Sequence, residues 1–130
     1  MAVTGSLFAI SSPALADYQC PARQVCFYQD KDGHGSPATL AGLAQGGGGV
    51  GRFSDHKFHN GVNVNDQASS VHNNTSQWLK VYENNDYASG RSQYVKPYGW
   101  ANFTGGGVKN DSASSARFVE EPCGGSEWCV

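Results

Sequence analysis

The sequence predicts an all-β protein, a sandwich of two Greek-key motifs, on three observations. The string NDQASS at residues 65–70 returns as NDSASS at residues 110–115, with one position changed. Upstream of each copy, an aromatic, β-branched stretch runs into a polar turn and a second extended stretch. Charged residues make up only 15% of the chain and Gly is abundant, which favours short strands joined by Gly-rich loops over amphipathic helices. A chain of this length forms one domain. Two related units of roughly forty to fifty residues, about 24–75 and 77–119, each match a Greek key in size. Neither alone buries enough apolar surface to be stable, so the two are expected to pack face to face.

Taken in order, residues 1–16 read as an export leader. "GSLFAISSPALA" is apolar, turns small-residue rich and ends Ala14-Leu15-Ala16, with Asp17 as the expected mature N-terminus. No Lys or Arg precedes Asp17, so the leader is expected to extend upstream of Met1. Cys20, Cys26, Cys123 and Cys129 form two equally spaced pairs, "CPARQVC" and "CGGSEWC", near the ends of the mature chain. Each pair can close a small loop, which favours Cys20–Cys26 and Cys123–Cys129. Bridges tying the termini together are the alternative. Neither spacing is CxxC, which argues against zinc.

"QVCFYQDKDGHG" reads as a strand entering a turn, because Val25 to Tyr28 favour extended structure and Asp30 to Gly35 favour reversal. "SPATLAGLAQ" offers at most one helical turn, and the Gly46–Gly49 run reads as a flexible loop. No Gly-Lys-Ser/Thr follows that run, so it is not a phosphate loop. In the second unit, Trp78, Leu79, Val81 and Tyr82 lead into the turn "ENNDYASG". "RSQYV" returns as a strand, and "ARFV" follows the second motif as the last strand. Residues 120–130 form a cysteine-containing tail.

Several function classes are excluded. The charge is −2 with no basic cluster, so nucleic acid is not an expected partner. No apolar run is long enough to span a bilayer. His56 and His59 have HxxH spacing, but no further ligand is evident besides His34 or His72, and they read as solvated loop residues. No GxSxG or other nucleophile setting occurs, and Glu120, Glu121 and Glu127 cluster in the tail rather than forming an acid–base pair, so the chain is not expected to be an enzyme. The Asn-x-Ser/Thr sequons at Asn73, Asn74, Asn102 and Asn110 are read as chance.

The repeated ND-x-x-S-S strings, each downstream of a Tyr-turn-Gly hairpin, resemble the microbial, calcium-binding form of the βγ-crystallin superfamily. That family's metal motif is Asn/Asp, Asn/Asp, any, any, Ser/Thr, Ser, and both copies match it. Its hairpin has an aromatic, four residues, an aromatic, one residue and Gly. The second copy has Tyr82 and Tyr87, with Gly90 one residue late. The first has Tyr28 and Gly35 at family spacing, but Gly33 replaces the second aromatic, which weakens the aromatic packing expected there. The resemblance covers about Val25 to Val119 and implies two weak Ca2+ sites. Asp66 and Asp111 would supply carboxylates, and Ser69 and Ser114 hydroxyls. Gln67, Ser112, Gln29 and Glu83 would supply main-chain carbonyls, with Asn65, Ser70, Asn110 and Ser115 supporting the loops. Calcium takes six to eight hard oxygens, and one carboxylate per site implies affinities on the order of 10⁻⁵ to 10⁻³ M. By the side-chain chemistry alone, Asn-Asp and Ser-Ser could equally serve only as turn formers.

The leader, the cysteine pair, "CPARQVCFYQD" and "VYENNDYASGRSQYV" also resemble secreted actinobacterial proteins of peptidase inhibitor family I36, whose best-known member inhibits thermolysin-like metalloproteases. This implies a secreted, monomeric protein whose partner is an extracellular metalloprotease. The loop "VKPYGWANF" offers Tyr98, Trp100 and Phe103, braced by Pro97 and Gly99, as a partner-binding loop. That member's reactive bond follows a disulfide-held cysteine, and no cysteine lies between Cys26 and Cys123 here, so its mechanism is not carried over. The alternative readings are a secreted antimicrobial or killer-toxin-like protein, and a calcium-stapled structural or stress protein.

Overall fold

The computed structural model describes residues 18–104 and 107–122. The leader and the Cys123–Cys129 pair therefore lie outside the described residues. Among the described residues seven strands form two antiparallel sheets: β1 (Gln24–Tyr28), β2 (Pro37–Thr39), β3 (Ser70–Asn74), β4 (Trp78–Tyr82), β5 (Ser92–Val95), β6 (Trp100–Asn102) and β7 (Ser115–Val119). The first sheet has the order β2-β1-β3-β6 and the second β5-β4-β7. Among the described residues the helical segments are single 3-10 turns, among them Lys31–Gly33, Ala41–Leu43 and Asn85–Tyr87, and none is long and apolar enough to cross a membrane.

Strand alternation decides which side chains meet in the middle. Val25, Phe27 and Val71 of the first sheet face Leu79, Val81 and Ala116 of the second, all buried. Phe27 lies edge-on to Phe53 at 4.9 Å and stacks on Phe103 at 6.4 Å, so rings from both units fill one core.

The sheets do not coincide with the two sequence units, as a simple reading of the duplication suggests. β6 belongs to the second unit but pairs with β3 of the first, placing Ala101 opposite Val71. Reciprocally, Val50 of the first unit bridges Ala116 in β7. The Phe after each exchanged segment donates its N–H to a motif serine of the other unit: Phe103 to the Ser69 carbonyl at 2.9 Å and Phe53 to the Ser114 carbonyl at 2.8 Å. The sandwich is thus laced together at the two repeated strings.

Two sequence expectations change in detail. "SPATLAGLAQ" divides between strand β2 and the 3-10 turn at Ala41–Leu43. The Gly46–Gly49 run folds back on that turn, with the Gly49 N–H donating to the Gly42 carbonyl at 2.8 Å. A Cβ on Gly42 would sit 2.4 Å from the Gly49 carbonyl oxygen, so the glycines serve close backbone approach.

The Cys20–Cys26 disulfide forms as the loop spacing favoured, and pins the segment from Tyr18 over the outer face of the first sheet. There the Tyr18 hydroxyl lies 3.0 Å from Thr39 Oγ1, and its ring lies edge-on to His59.

Candidate functional site

Each repeated string ends in a serine that clamps the hairpin of its own unit. Ser70 Oγ accepts the Gly33 N–H at 2.9 Å and donates to the Asp30 carbonyl at 2.7 Å. In the second unit, Ser115 Oγ accepts the Tyr87 N–H at 3.1 Å and donates to the Asn84 carbonyl at 2.6 Å. Both serines are buried, and each satisfies its own hydroxyl while bonding backbone groups of the hairpin.

The preceding residues cross between units. Ser69 Oγ donates to Asp111 Oδ1 at 3.2 Å, and Ser114 Oγ donates to Asp66 Oδ1 at 3.3 Å. The backbone repeats the pattern: Asp66 N–H donates to the Ala113 carbonyl and Asp111 N–H to the Ala68 carbonyl, both at 3.1 Å. Asp66 and Asp111 each adopt a φ of 58°, the left-handed turn conformation that Asp tolerates better than most residues. Asn65 Nδ2 donates to Asp66 Oδ2 at 3.1 Å, orienting that carboxylate, while Asn65 Oδ1 is buried without a hydrogen-bond partner. Asn110 offers its carbonyl to Ser112 Oγ.

A carboxylate and a hydroxyl oxygen therefore meet at each crossing, and a main-chain carbonyl joins the pair at Ser114. The Ser112 carbonyl lies 3.5 Å from Ser114 Oγ. Ser69 and Ser114 donate their N–H groups to the carbonyls of Tyr28 and Tyr82, which places Gln29 and Glu83 next in the chain beside each crossing. Their side chains are otherwise engaged, Gln29 Oε1 accepting from Asn60 Nδ2 and Glu83 Oε2 from the Lys109 N–H. Two oxygens bound to one calcium at about 2.4 Å, roughly a right angle apart, are about 3.4 Å from each other. The Ser–Asp separations of 3.2 and 3.3 Å match that spacing, and the donors are all oxygen. The residues fit a hard cation. Among the described residues no group of three or more His, Cys, Asp or Glu side chains converges.

The second feature is the aromatic surface at the open edge of β6. Tyr98 is 62% and Trp100 55% exposed. Phe103 is not part of this surface: at 2% exposure it lies in the core on Phe27, because β6 alternates its side chains between faces. Trp100 lies in strand β6 rather than in a loop. Its ring stacks on His72, its cross-strand neighbour, at 4.0 Å and on Tyr28 at 5.8 Å. Burial lowers the His72 pKa from 6.5, and its Nδ1 is buried without a hydrogen-bond partner.

Trp100 also resolves the irregular first hairpin. In the second hairpin Tyr87 packs against Tyr82 at 5.7 Å. Gly33 occupies the matching place in the first, and a Cβ there would lie 2.5 Å from Trp100 Cζ3. The missing aromatic is supplied by the other unit, through the exchanged strand, and glycine leaves room for it.

Sequence reasoning missed Asn73 and Thr75, both fully buried. Asn73 Nδ2 donates to the carbonyls of Gln77 (2.8 Å), Lys96 (3.1 Å) and Val95 (3.2 Å). Asn73 Oδ1 accepts from Thr75 Oγ1 at 2.6 Å and the Thr75 N–H at 3.2 Å. The Thr75 carbonyl takes the Tyr98 N–H. This buried network, more than Pro97 and Gly99, braces the turn below Tyr98. The sequence carried no distinct signal for this network, because Asn73 lies in, and Thr75 just after, a strand, SVHNN, that is already mostly polar.

The fold is similar to that of solved βγ-crystallin domains. One, described under the evolution of the eye-lens βγ-crystallin domain fold, superposes with a TM-score of 0.60 at 18% identity over 80% of this chain and 93% of that one. A βγ-crystallin from Ciona intestinalis gives 0.56 at 21% identity, covering 74% and 99% of the two chains. The N-terminal domain of protein S gives 0.53 at 22% identity, covering 76% and 98%. At these identities the likeness shows the fold. No curated protein matches the sequence significantly. The model of peptidase inhibitor family I36 matches residues 13–95, well over half of the chain. On a βγ-crystallin fold, this chain belongs to peptidase inhibitor family I36.

Proposed function

We propose that the protein is a secreted, calcium-stapled inhibitor of extracellular metallopeptidases of the thermolysin type. The observation that carries the calcium part is the crossed pairing of Ser69 with Asp111 and Ser114 with Asp66. Asp111, Ser69 and the main chain at Gln29 and Gln67 would hold one ion. Asp66, Ser114 and the main chain at Ser112 and Glu83 would hold the other. A bound cation supplies positive charge between a carboxylate of one unit and a hydroxyl of the other, and stabilises the fold by mass action. One carboxylate per site keeps affinity in the range of extracellular calcium modules. Family membership supports a peptidase partner, and the disulfide supports an oxidising compartment. The exposed aromatic edge at Tyr98 and Trp100 is the surface best suited to contact that partner.

Calorimetric titration with Ca2+ is expected to show heat and a raised melting temperature, both abolished in Asp66→Ala/Asp111→Ala. An absence of calcium response in the parent protein rejects the staple. Equimolar protein is expected to suppress thermolysin; full peptidase activity rejects the inhibitor assignment.

A further inference from the structure

Residues 96–99 form a tight turn in which the Gly99 N–H donates to the Lys96 carbonyl at 3.0 Å. Pro97 takes the second position, and Tyr98 takes the third with a φ of 58°. This is the pattern in which Gly or Asn normally occupies the third position. A bulky residue there is an outlier that persists only when its surroundings hold it. Here the holders are Asn73, reaching the Lys96 carbonyl, and Thr75, whose carbonyl takes the Tyr98 N–H at 3.1 Å. The strained residue is also the most exposed large apolar side chain among the described residues. The turn lies beyond the residues matched by the family model.

We propose that this turn is a pre-organised, uncleaved anchor: Tyr98 enters an apolar subsite of the peptidase without offering a scissile bond. The inference rests on the inhibitor reading above and adds how the surface works. A peptidase grips substrate as an extended strand, through the backbone N–H and C=O groups of the bound segment. Two groups needed for that pairing, the Lys96 carbonyl and the Tyr98 N–H, are already committed inside the protein. Pro97 has no N–H to offer. A left-handed Tyr98 also interrupts the extended run. What remains available is the side chain, held on a rigid support so that little conformational freedom is lost on docking.

The role has an unusual signature, because the residue that anchors the partner is unfavourable for the fold. Tyr98→Gly is expected to keep or raise the melting temperature while weakening thermolysin inhibition at least tenfold. Tyr98→Phe is expected to retain inhibition. After prolonged incubation with thermolysin, mass spectrometry should find the chain intact between Lys96 and Trp100. Inhibition by Tyr98→Gly equal to that of the parent, or cleavage within the turn that accumulates with inhibition, overturns the anchor while leaving the inhibitor reading in place. No inhibition by the parent protein overturns both.

Discussion

Replacing Asn73 with Ala removes a buried side chain that ties the end of β3 to the turn carrying Tyr98. Asn73 is fully buried, so water does not substitute freely for its amide. The two shortest bonds, 2.8 Å to the Gln77 carbonyl and 2.6 Å from Thr75 Oγ1, each contribute about 1 kcal/mol net. The Thr75 N–H, bonded at 3.2 Å to Asn73 Oδ1, becomes a buried donor without a partner, at a cost of about 1–3 kcal/mol. The Lys96 carbonyl keeps the Gly99 N–H and the Gln77 carbonyl keeps a 3.3 Å bond from Thr75 Oγ1, so neither adds a full penalty. The sum is a loss of roughly 3–5 kcal/mol, a large share of a small domain's stability. Urea unfolding followed by tryptophan fluorescence measures it. Asn73→Asp should be no better, since it sets a carboxylate oxygen against three carbonyls. A loss below about 1 kcal/mol for Asn73→Ala, or a stable Asn73→Asp, would refute the claim that a dry amide network supports the turn. The same burial makes the sequon at Asn73 inaccessible to a glycan in the folded protein.

Three further predictions follow from the packing and the crossing. Gly33→Ala should destabilise by about 1–2 kcal/mol because of its φ of 73° and the clash with Trp100. Trp100→Ala should also destabilise, and Gly33→Tyr with Trp100→Ala should recover stability in denaturant titrations, since Tyr87 tolerates a φ of 59° at the matching place; no recovery refutes the substitution of one aromatic for the other. In double-mutant cycles Ser69→Ala is expected to couple to Asp111→Ala by about 1 kcal/mol and less to Asp66→Ala, its neighbour in sequence; the reverse order refutes the crossing. The His72 pKa is lowered by burial from 6.5, so the unfolded chain binds a proton there before the folded one does. Its contribution is present above about pH 6.5 and lost as pH falls through the folded value, and His72→Phe should flatten that part of the melting-temperature profile.

Much of the fold was legible because it rests on local chemistry. β1 and β4 announce themselves through aromatic and β-branched runs, and the turns through Asp, Asn and Gly. The two motifs present carboxylates, hydroxyls and carbonyls within one short string. Cys20–Cys26 closes a loop short enough to infer from spacing. The placement of Phe103 was not legible: its apolar character suits a core or a contact surface equally, and only the register of β6 turns it inward.

By itself, then, the sequence determined the element types, the duplication, the oxygen-rich character of the two strings and the first disulfide, because each depends on neighbours along the chain. Only the tertiary structure decided that Ser69 meets Asp111 rather than Asp66, that β6 and Val50 change sheets, that Trp100 covers Gly33, and that Asn73 supports Tyr98. Those are contacts between residues far apart in the chain or on different strands. They depend on which strand edges pair and which faces are buried together when two weak units close over a common core, and no local preference encodes that choice.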